Sequence, residues 1–435
     1  MRRAVQSFSD QRKLFRGWWV VAVLFLGGFM MYGAGLYSFV LFVTPLSKEF
    51  DWSRAATGGL VSAFWISAPL ALFAGPLLQR FGIKRTALAG IVIEALCLMA
   101  LVFASQLWQM YLLRALAGLG KVLYAITLPV TLSKWFSKHF GIAVAVMYAG
   151  WHIGGLVLAP LTGGLIEHLG WRTTSFVLGA ALLLIALIPT YWALRVPSAD
   201  SIGLPLDGID KPSPAPDPLV EAKSTEPSNH RDVVRTLLAQ RSFQFIMVAT
   251  ALYFVTYGGV LAHQAAVVED AGISSRIASI LLGSTAGFAA LGALFTGWLI
   301  DRWPLIYTTI VQYSLMAAGV ICLLLIMHTP SVGLLSVHAL TFGVAVGGSE
   351  VYWITLLRRR LGDGNFTQSW GIYYFIELAV LVIAPIGAGL LYDLTGNYTV
   401  TLASELALLA VPFCLSLLVV TRNRFTSIPT PVGRA

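Results

Sequence analysis

The sequence predicts an all-α polytopic membrane protein, with twelve transmembrane helices arranged as two pseudo-symmetric six-helix bundles. Three observations predict it. Of 435 residues, 57% are hydrophobic and only 11% charged, against about 45–50% and about 25% in soluble proteins. A bilayer-spanning helix takes about 20 mostly apolar residues, so this apolar content matches about twelve spans and leaves little for a soluble domain. Segments of the first half also recur in the second at a nearly constant offset. The composition excludes a disordered chain, a disulfide scaffold and a water-soluble enzyme. Cys97, Cys322 and Cys414 all sit in apolar runs without motif spacing, so neither a disulfide nor a metal site is expected.

The elements follow in order. Residues 1–16 are polar and show no small-residue cleavage site, so the first apolar run reads as a retained span. Spans are expected at 17–42, 54–79, 86–104, 107–133, 140–166 and 172–194, then at 242–268, 276–300, 305–328, 331–357, 366–392 and 398–421. The intervening stretch, 195–241, holds seven of the 19 prolines and seven acidic residues among basic ones. It cannot bury a core and reads as a flexible cytoplasmic linker, with a short surface helix near 231–241. The domain expectation is therefore a bundle at 1–194, a linker at 195–241, and a second bundle with a short tail at 242–435.

Lys and Arg placement gives the orientation. With the N-terminus inside, the inner segments hold 23 of the 29 basic residues, and the outer loops hold four, Lys48, Arg54, Arg172 and Arg276. Arg114 and Lys121 lie within the membrane. Both termini are expected in the cytoplasm of a plasma (inner) membrane. The net charge of +9 reflects these loops, and no nucleic-acid partner is expected.

The repeat is explicit. Ser53-Arg54-Ala55-Ala56 matches Ser275-Arg276-Ile277-Ala278, and Gly75-Pro-Leu-Leu-Gln79-Arg80 matches Gly297-Trp-Leu-Ile-Asp301-Arg302, both offset by 222. Ala159-Pro160-Leu161 matches Ala384-Pro385-Ile386 at an offset of 225. Matching pieces fall on the same side of the membrane, so the halves are parallel repeats, an architecture that places a substrate site at mid-membrane between them.

These residues carry a resemblance. Gly75-Pro-Leu-Leu-Gln79-Arg80-Phe-Gly82-Ile-Lys84-Arg85 resembles the loop motif between spans 2 and 3 of the major facilitator superfamily, with Gln79 where an Asp is usual. The second copy keeps Asp301-Arg302. Arg114-x-x-x-Gly118 resembles the superfamily's span 4 motif. Gly17-Trp18-Trp19, Asp51-Trp52-Ser53-Arg54 and Trp135-Phe136-Ser137-Lys138-His139-Phe140-Gly141 look most like the monocarboxylate transporter family and its bacterial relatives. Spans 1 and 8 lack the mid-membrane Lys and Asp–Arg pair of the best-known members. The resemblance implies a secondary transporter working by alternating access, with spans 1, 4, 7 and 10 lining the cavity. The loop-motif residues Gly75, Arg80, Gly82, Lys84, Arg85, Asp301 and Arg302 would act in gating.

Ionisable residues at membrane depth are costly and mark pathways, cavities or partners. Gly118-x-x-Lys121 aligns with Gly347-x-x-Glu350 at an offset of 229, placing a cation and an anion at near-equivalent points of the two halves. Either Lys121 takes a substrate carboxylate while Glu350 takes a proton or holds Lys121 in the empty carrier, or the two form a purely structural pair. His152 and Glu377, offset by 225, form a second expected pair, as a proton relay or a buried helix–helix contact. Arg114 is expected to bond span 1 backbone or to assist proton movement. Glu94, His338 and Glu405 are expected to be structural, and His263 to sit near the outer rim. Tyr32, Tyr37, Tyr124, Tyr257 and Trp353, with Tyr253, Tyr373 and Tyr374, are candidate cavity aromatics, since a Tyr offers both a hydroxyl and an apolar ring. Gly150-x-x-x-Gly154 and Gly283-x-x-x-Gly287 are expected to let spans 5 and 8 approach across the halves.

No nucleotide-binding loop, zinc-protease signature or nucleophile turn is present, so no enzyme and no cofactor are expected. The expected activity is transport of a small organic anion, a monocarboxylate first, with a proton, by a monomeric unit in the bilayer. The alternatives are proton-driven efflux of an amphipathic drug or metabolite and, behind that, a transport-dead sensor.

Overall fold

The computed structural model describes residues 15–52, 54–194, 206–208 and 230–421. Among these, ten helical stretches are long and apolar enough to cross a bilayer. Two of them, Gly59–Phe103 with 45 residues and Phe140–Ala193 with 54, are each about twice the length that one crossing requires at about 1.5 Å per residue. Both turn back at a glycine with positive φ, Gly82 at 75° and Gly170 at 76°, a conformation that only glycine adopts without steric cost. A threonine four residues later closes each turn, Thr86 Oγ1 donating to the Gly82 carbonyl and Thr174 Oγ1 to that of Gly170, at 2.8 Å in both. Divided there, the ten stretches become twelve spans.

Span 1 is Arg16–Phe42, spans 2 and 3 lie in Gly59–Phe103, span 4 is Leu107–Ser133, and spans 5 and 6 lie in Phe140–Ala193. Spans 7 to 12 are Arg241–Asp270, Ile280–Arg302, Leu305–Ile326, Val332–Leu361, Phe366–Thr395 and Tyr398–Thr421. The two halves use glycine alike. A Cβ at Gly118 of span 4 would strike the Phe64 carbonyl of span 2, and one at Gly347 of span 10 would strike the Ala289 carbonyl of span 8. The Gly118–Gly347 correspondence is therefore a shared packing device.

Several spans break their α-helical ladder near mid-membrane. Span 1 widens to a π turn at Gly33–Tyr37 and tightens to a 3-10 turn at Ser38–Phe42. Such irregular turns are frequent at functional sites. In span 2, Pro69 has no N–H to give the Trp65 carbonyl. The Ala68 N–H bonds that carbonyl instead, at 3.0 Å, and the helix unwinds around Trp65.

The halves are joined at the end that carries the described linker residues. Asp301 of span 8 accepts hydrogen bonds from the Gly141 and Ile142 N–H groups at the start of span 5, at 3.0 and 2.9 Å. Arg358 of span 10 donates to the Phe136 carbonyl of the loop between spans 4 and 5 and to the Ser133 carbonyl that ends span 4, at 2.8 and 3.0 Å, and its guanidinium lies over Phe140. Among the described residues, no hydrogen bond or ion pair joins the halves at the opposite end. Closure therefore resides at the linker end.

The linker expectation meets the structure only in part, since 195–205 and 209–229 lie outside the described residues. Asp207 docks on the span 4–5 loop, its carboxylate accepting from the Ser137, Lys138 and His139 N–H groups at 3.0, 2.7 and 3.0 Å. The expected short helix is His230–Ala239. Ser53, which begins the first repeat segment, also lies outside the described residues.

One packing expectation is corrected. Gly150 and Gly154 face the Phe25 and Phe29 carbonyls of span 1, and a Cβ at Gly283 or Gly287 would meet nothing within 4 Å. Spans 5 and 8 approach lower down, where a Cβ at Gly297 would meet the Gly141 carbonyl at 2.7 Å. A small-x-x-x-small motif permits close approach but does not choose the partner.

Candidate functional site

The centre is built around Lys121. Gly118 and Gly120 strip span 4 of bulk, so it presses against spans 2 and 3 and carries Lys121 into the interior, 1% exposed. Its Nζ lies 4.0 Å from the Trp65 ring centroid, 5.2 Å from Tyr32 and 5.3 Å from Tyr374. Among the described residues, no carboxylate lies within ion-pair distance of it. Ring faces replace a counter-ion, each contact worth about 2 kcal/mol when desolvated. The expected direct Lys121–Glu350 pair is not formed.

Glu350 instead turns to span 11. Its carboxyl lies beside that of Glu377, the two electrostatically coupled, and the Tyr373 hydroxyl donates to Glu350 Oε2 at 3.4 Å. An ionised carboxylate can only accept, so a direct bond between the two carboxyls would require a proton on one of them. Both acids still act electrostatically on Lys121, Glu377 most strongly, with Glu94 of span 3 ranking between it and Glu350. Across the seam between the halves, the Tyr32 and Tyr374 hydroxyls are 3.1 Å apart. Tyr32 also stacks on Trp151 of span 5, with centroids 3.6 Å apart and planes at 15°.

The other predicted residues divide. Tyr37 and Tyr257 are half-buried and electrostatically coupled to each other, on spans 1 and 7. Trp353 is fully buried and meets Tyr253 edge-on at 5.8 Å within the second half. Tyr124 is drawn away from the Lys121 cage: its hydroxyl donates to the Leu24 carbonyl at 3.3 Å and occupies the space that Gly27 leaves. His152 is buried, and its Nε2 has no partner; the expected His152–Glu377 contact is not made. Span 5 turns His152 away while Glu377 is engaged by Glu350.

Arg114 does bond span 1 backbone. Its Nη1 donates to the Gly35 carbonyl at 2.8 Å and its Nε to the Leu60 carbonyl at 3.2 Å, with the guanidinium 3.6 Å from the Phe39 ring centroid. The Gly35 carbonyl lies in the π turn, where the helix leaves an acceptor to be shared. Of the loop-motif residues, Asp301 joins the halves and Gly82 makes the turn. Gly75 packs against Gln368, Lys84 lies over Tyr191 at 3.9 Å, and Arg302 lies over Trp298. Arg80 and Arg85 are exposed.

Sequence reasoning missed Trp65 and Trp151. Trp65 had a legible signal, a proline four residues on, but Trp151 had none beyond its place beside His152. His338 and His263 are structural in their contacts: His338 bonds the Gly319 carbonyl and Gln264, and His263 the Tyr398 hydroxyl and the Pro385 carbonyl.

Comparison with known proteins gives the family. The sequence pattern of the Major Facilitator Superfamily matches residues 23–385. The chain is 27% identical over 420 residues to monocarboxylate transporter 13 of Bos taurus, covering 92% of this chain and 91% of that one. It is 30% identical over 405 residues to human monocarboxylate transporter 11, covering 88% and 78%. To the gallate transporter of Pseudomonas putida it is 26% identical over 366 residues, covering 79% and 78%. Its fold matches a crystal structure of the Escherichia coli fucose:proton symporter, with a TM-score of 0.66 at 16% identity over 93% of this chain and all of that one. A second structure of that transporter, in the outward conformation, gives a TM-score of 0.68 at 15% identity. An all-helical, multi-pass chain with two repeated bundles meeting around a buried charged centre thus belongs to the Major Facilitator Superfamily of secondary transporters.

Proposed function

We propose that the protein carries a small organic anion, a monocarboxylate first, together with a proton, by alternating access of bundles 1–194 and 242–435. The observation that carries this reading is Lys121, a buried cation held by aromatic rings of both halves beside the coupled acids Glu350 and Glu377, which in this reading share one proton. A substrate carboxylate approaching Lys121 breaks the Tyr32–Tyr374 hydroxyl contact and takes both hydroxyls as donors, while Tyr37 and Tyr257 flank its organic body. The anion brings one negative charge, and a second proton on Glu350 and Glu377 offsets it. The centre then crosses without net charge, which a low-dielectric interior favours. The relatives named for monocarboxylates and gallate support this substrate class. The basic bias supports placing the linker end and both termini in the cytoplasm of the inner membrane, so this geometry faces outward. Arg114 holds the π turn of span 1, and Asp301 with Arg358 keeps the inner end shut. The functional unit is one chain.

The test is uptake of radiolabelled lactate, benzoate and gallate into proteoliposomes under an inward proton gradient. Lys121→Ala is expected to abolish uptake and Glu377→Gln to uncouple it from pH. Wild-type uptake by Lys121→Ala overturns the role of Lys121. Uptake indifferent to collapse of the gradient overturns proton coupling.

A further inference from the structure

One buried acid acts on the centre just described only at a distance and bonds to none of it. Glu94 of span 3 is completely buried, and neither carboxyl oxygen has a hydrogen-bond partner. An unpartnered polar group in that position needs an explanation, and a carboxylate there would be an uncompensated buried charge. Its surroundings are shaped to hold it. A Cβ at Gly35 of span 1 would collide with Oε1, and one at Gly120 of span 4 would meet the Glu94 Cβ at 3.1 Å, so two glycines clear the space that the side chain fills.

Arg114 lies alongside, mismatched in the same way. Its Nη1 and Nε are engaged with Gly35 and Leu60, but its buried Nη2 has no partner. Glu94 feels Arg114 most strongly and Lys121 next, yet no ion pair is formed. The titratable and charged groups facing it are Arg114 and Lys121 of span 4, Cys97 of its own span and Tyr374 of span 11. One acid with two idle acceptors and one guanidinium with an idle donor are thus held apart at Gly35, within the π turn of span 1.

We propose that Glu94 is a positioning residue for proton coupling, protonated in this linker-end-closed state and ionised on Arg114 Nη2 when the linker end opens. Span 1 carries the exchange. When its π turn relaxes, Gly35 shifts, Nη2 reaches the carboxyl, and the Glu94 O–H bond breaks, releasing its proton to water in the newly opened cavity. Closing reverses each step. Protonation of a span 3 acid is thereby tied to the shape of span 1. The link to transport rests on the proton-coupled reading above, but its structural basis does not.

The test needs no substrate. Infrared spectra of the full-length protein in lipid at neutral pH are compared for wild type, Glu94→Gln and Glu94→Asp. Loss of one protonated-carboxyl stretching band in Glu94→Gln, with the band present but displaced in Glu94→Asp, is expected. The second measurement is the distance between spin labels at the linker ends of spans 5 and 8 across pH. It should respond to pH in wild type and Glu94→Asp, and lose at least part of that response in Glu94→Gln. A carboxyl band unchanged in Glu94→Gln overturns the proposal, as does a pH response identical to wild type. If Glu94→Gln does not fold, a Glu94→Asp spectrum without a displaced band overturns it as well. Failure of the transport reading shows separately, as absent uptake of the carboxylate probes by wild type.

Discussion

The two copies of the loop motif occupy equivalent places and do different work. At the end of span 8, Asp301 crosses to span 5 and accepts from the Gly141 and Ile142 N–H groups. At the end of span 2, the equivalent Gln79 is exposed, and the start of span 11 has no side-chain cap. The glycines that begin the copies differ too. Gly297 lies against the Gly141 backbone, whereas Gly75 lies against the movable side chain of Gln368. A carboxylate at a helix N-terminus satisfies orphan N–H groups and meets the positive end of the dipole. A neutral amide brings no charge to that position. Both sides pack closely, Gly297 against the Gly141 backbone and Gly371 of span 11 against the Ala71 carbonyl of span 2, but one alone adds a carboxylate cap.

This asymmetry can be broken at several points. The largest effect is expected at Gly297→Ala, whose Cβ meets backbone that cannot yield, costing the closed state about 1–3 kcal/mol. Gly75→Ala, against a flexible glutamine, should change it by about 0.5 kcal/mol or less. Spin-label distances across spans 5 and 8 report both. Next comes Asp301→Ala, which removes the cap and should cost about 1–2 kcal/mol, shifting the equilibrium toward linker-end opening by roughly 5–30-fold. A smaller gain is expected from Gln79→Asp, which gives the first copy a carboxylate and should favour closure by roughly 0.3–1 kcal/mol. If Gln79→Asp favours opening, charge at this position is not what distinguishes the copies.

The smallest effect concerns the far end, where Glu49 accepts from the Trp171 indole at 2.6 Å and pairs with Arg172. These contacts, Trp171 first, hold the Glu49 carboxyl below its usual range. Its contribution is therefore present above the ordinary carboxylate pKa and fades as pH falls through the lowered value. The pair is well exposed, so roughly 0–1 kcal/mol is at stake. Because all three residues belong to one half, Glu49→Gln should lower thermal stability slightly in mildly acidic buffer and leave the label distances unchanged.

Much of the fold was legible because bilayer physics leaves few options. A chain that must satisfy every backbone group inside lipid forms helices, so apolar run length located the spans, while the turns at Gly82 and Gly170 emerged only from the backbone angles. The Gly118–Gly347 match also survived as a common packing device. The candidate site was legible as a set of costly residues, since Lys121, Glu350 and Glu377 are conspicuous in apolar sequence. Their pairing was not. Offsets suggested Lys121 with Glu350 and His152 with Glu377, but the structure puts Lys121 among Trp65, Tyr32 and Tyr374 and sets Glu350 beside Glu377.

The sequence by itself determined that this is a two-fold repeated, twelve-span transporter of the major facilitator type, because length, hydropathy and repeat are one-dimensional properties. Only the tertiary structure decided which charge meets which partner, why Glu94 stands idle beside Arg114, and which end is shut. Those depend on the rotation of each helix about its axis and on breaks such as the π turn at Gly33–Tyr37. At about 100° per residue, a one-residue change in register turns a side chain from a cavity to its neighbour, and no count along the chain fixes it.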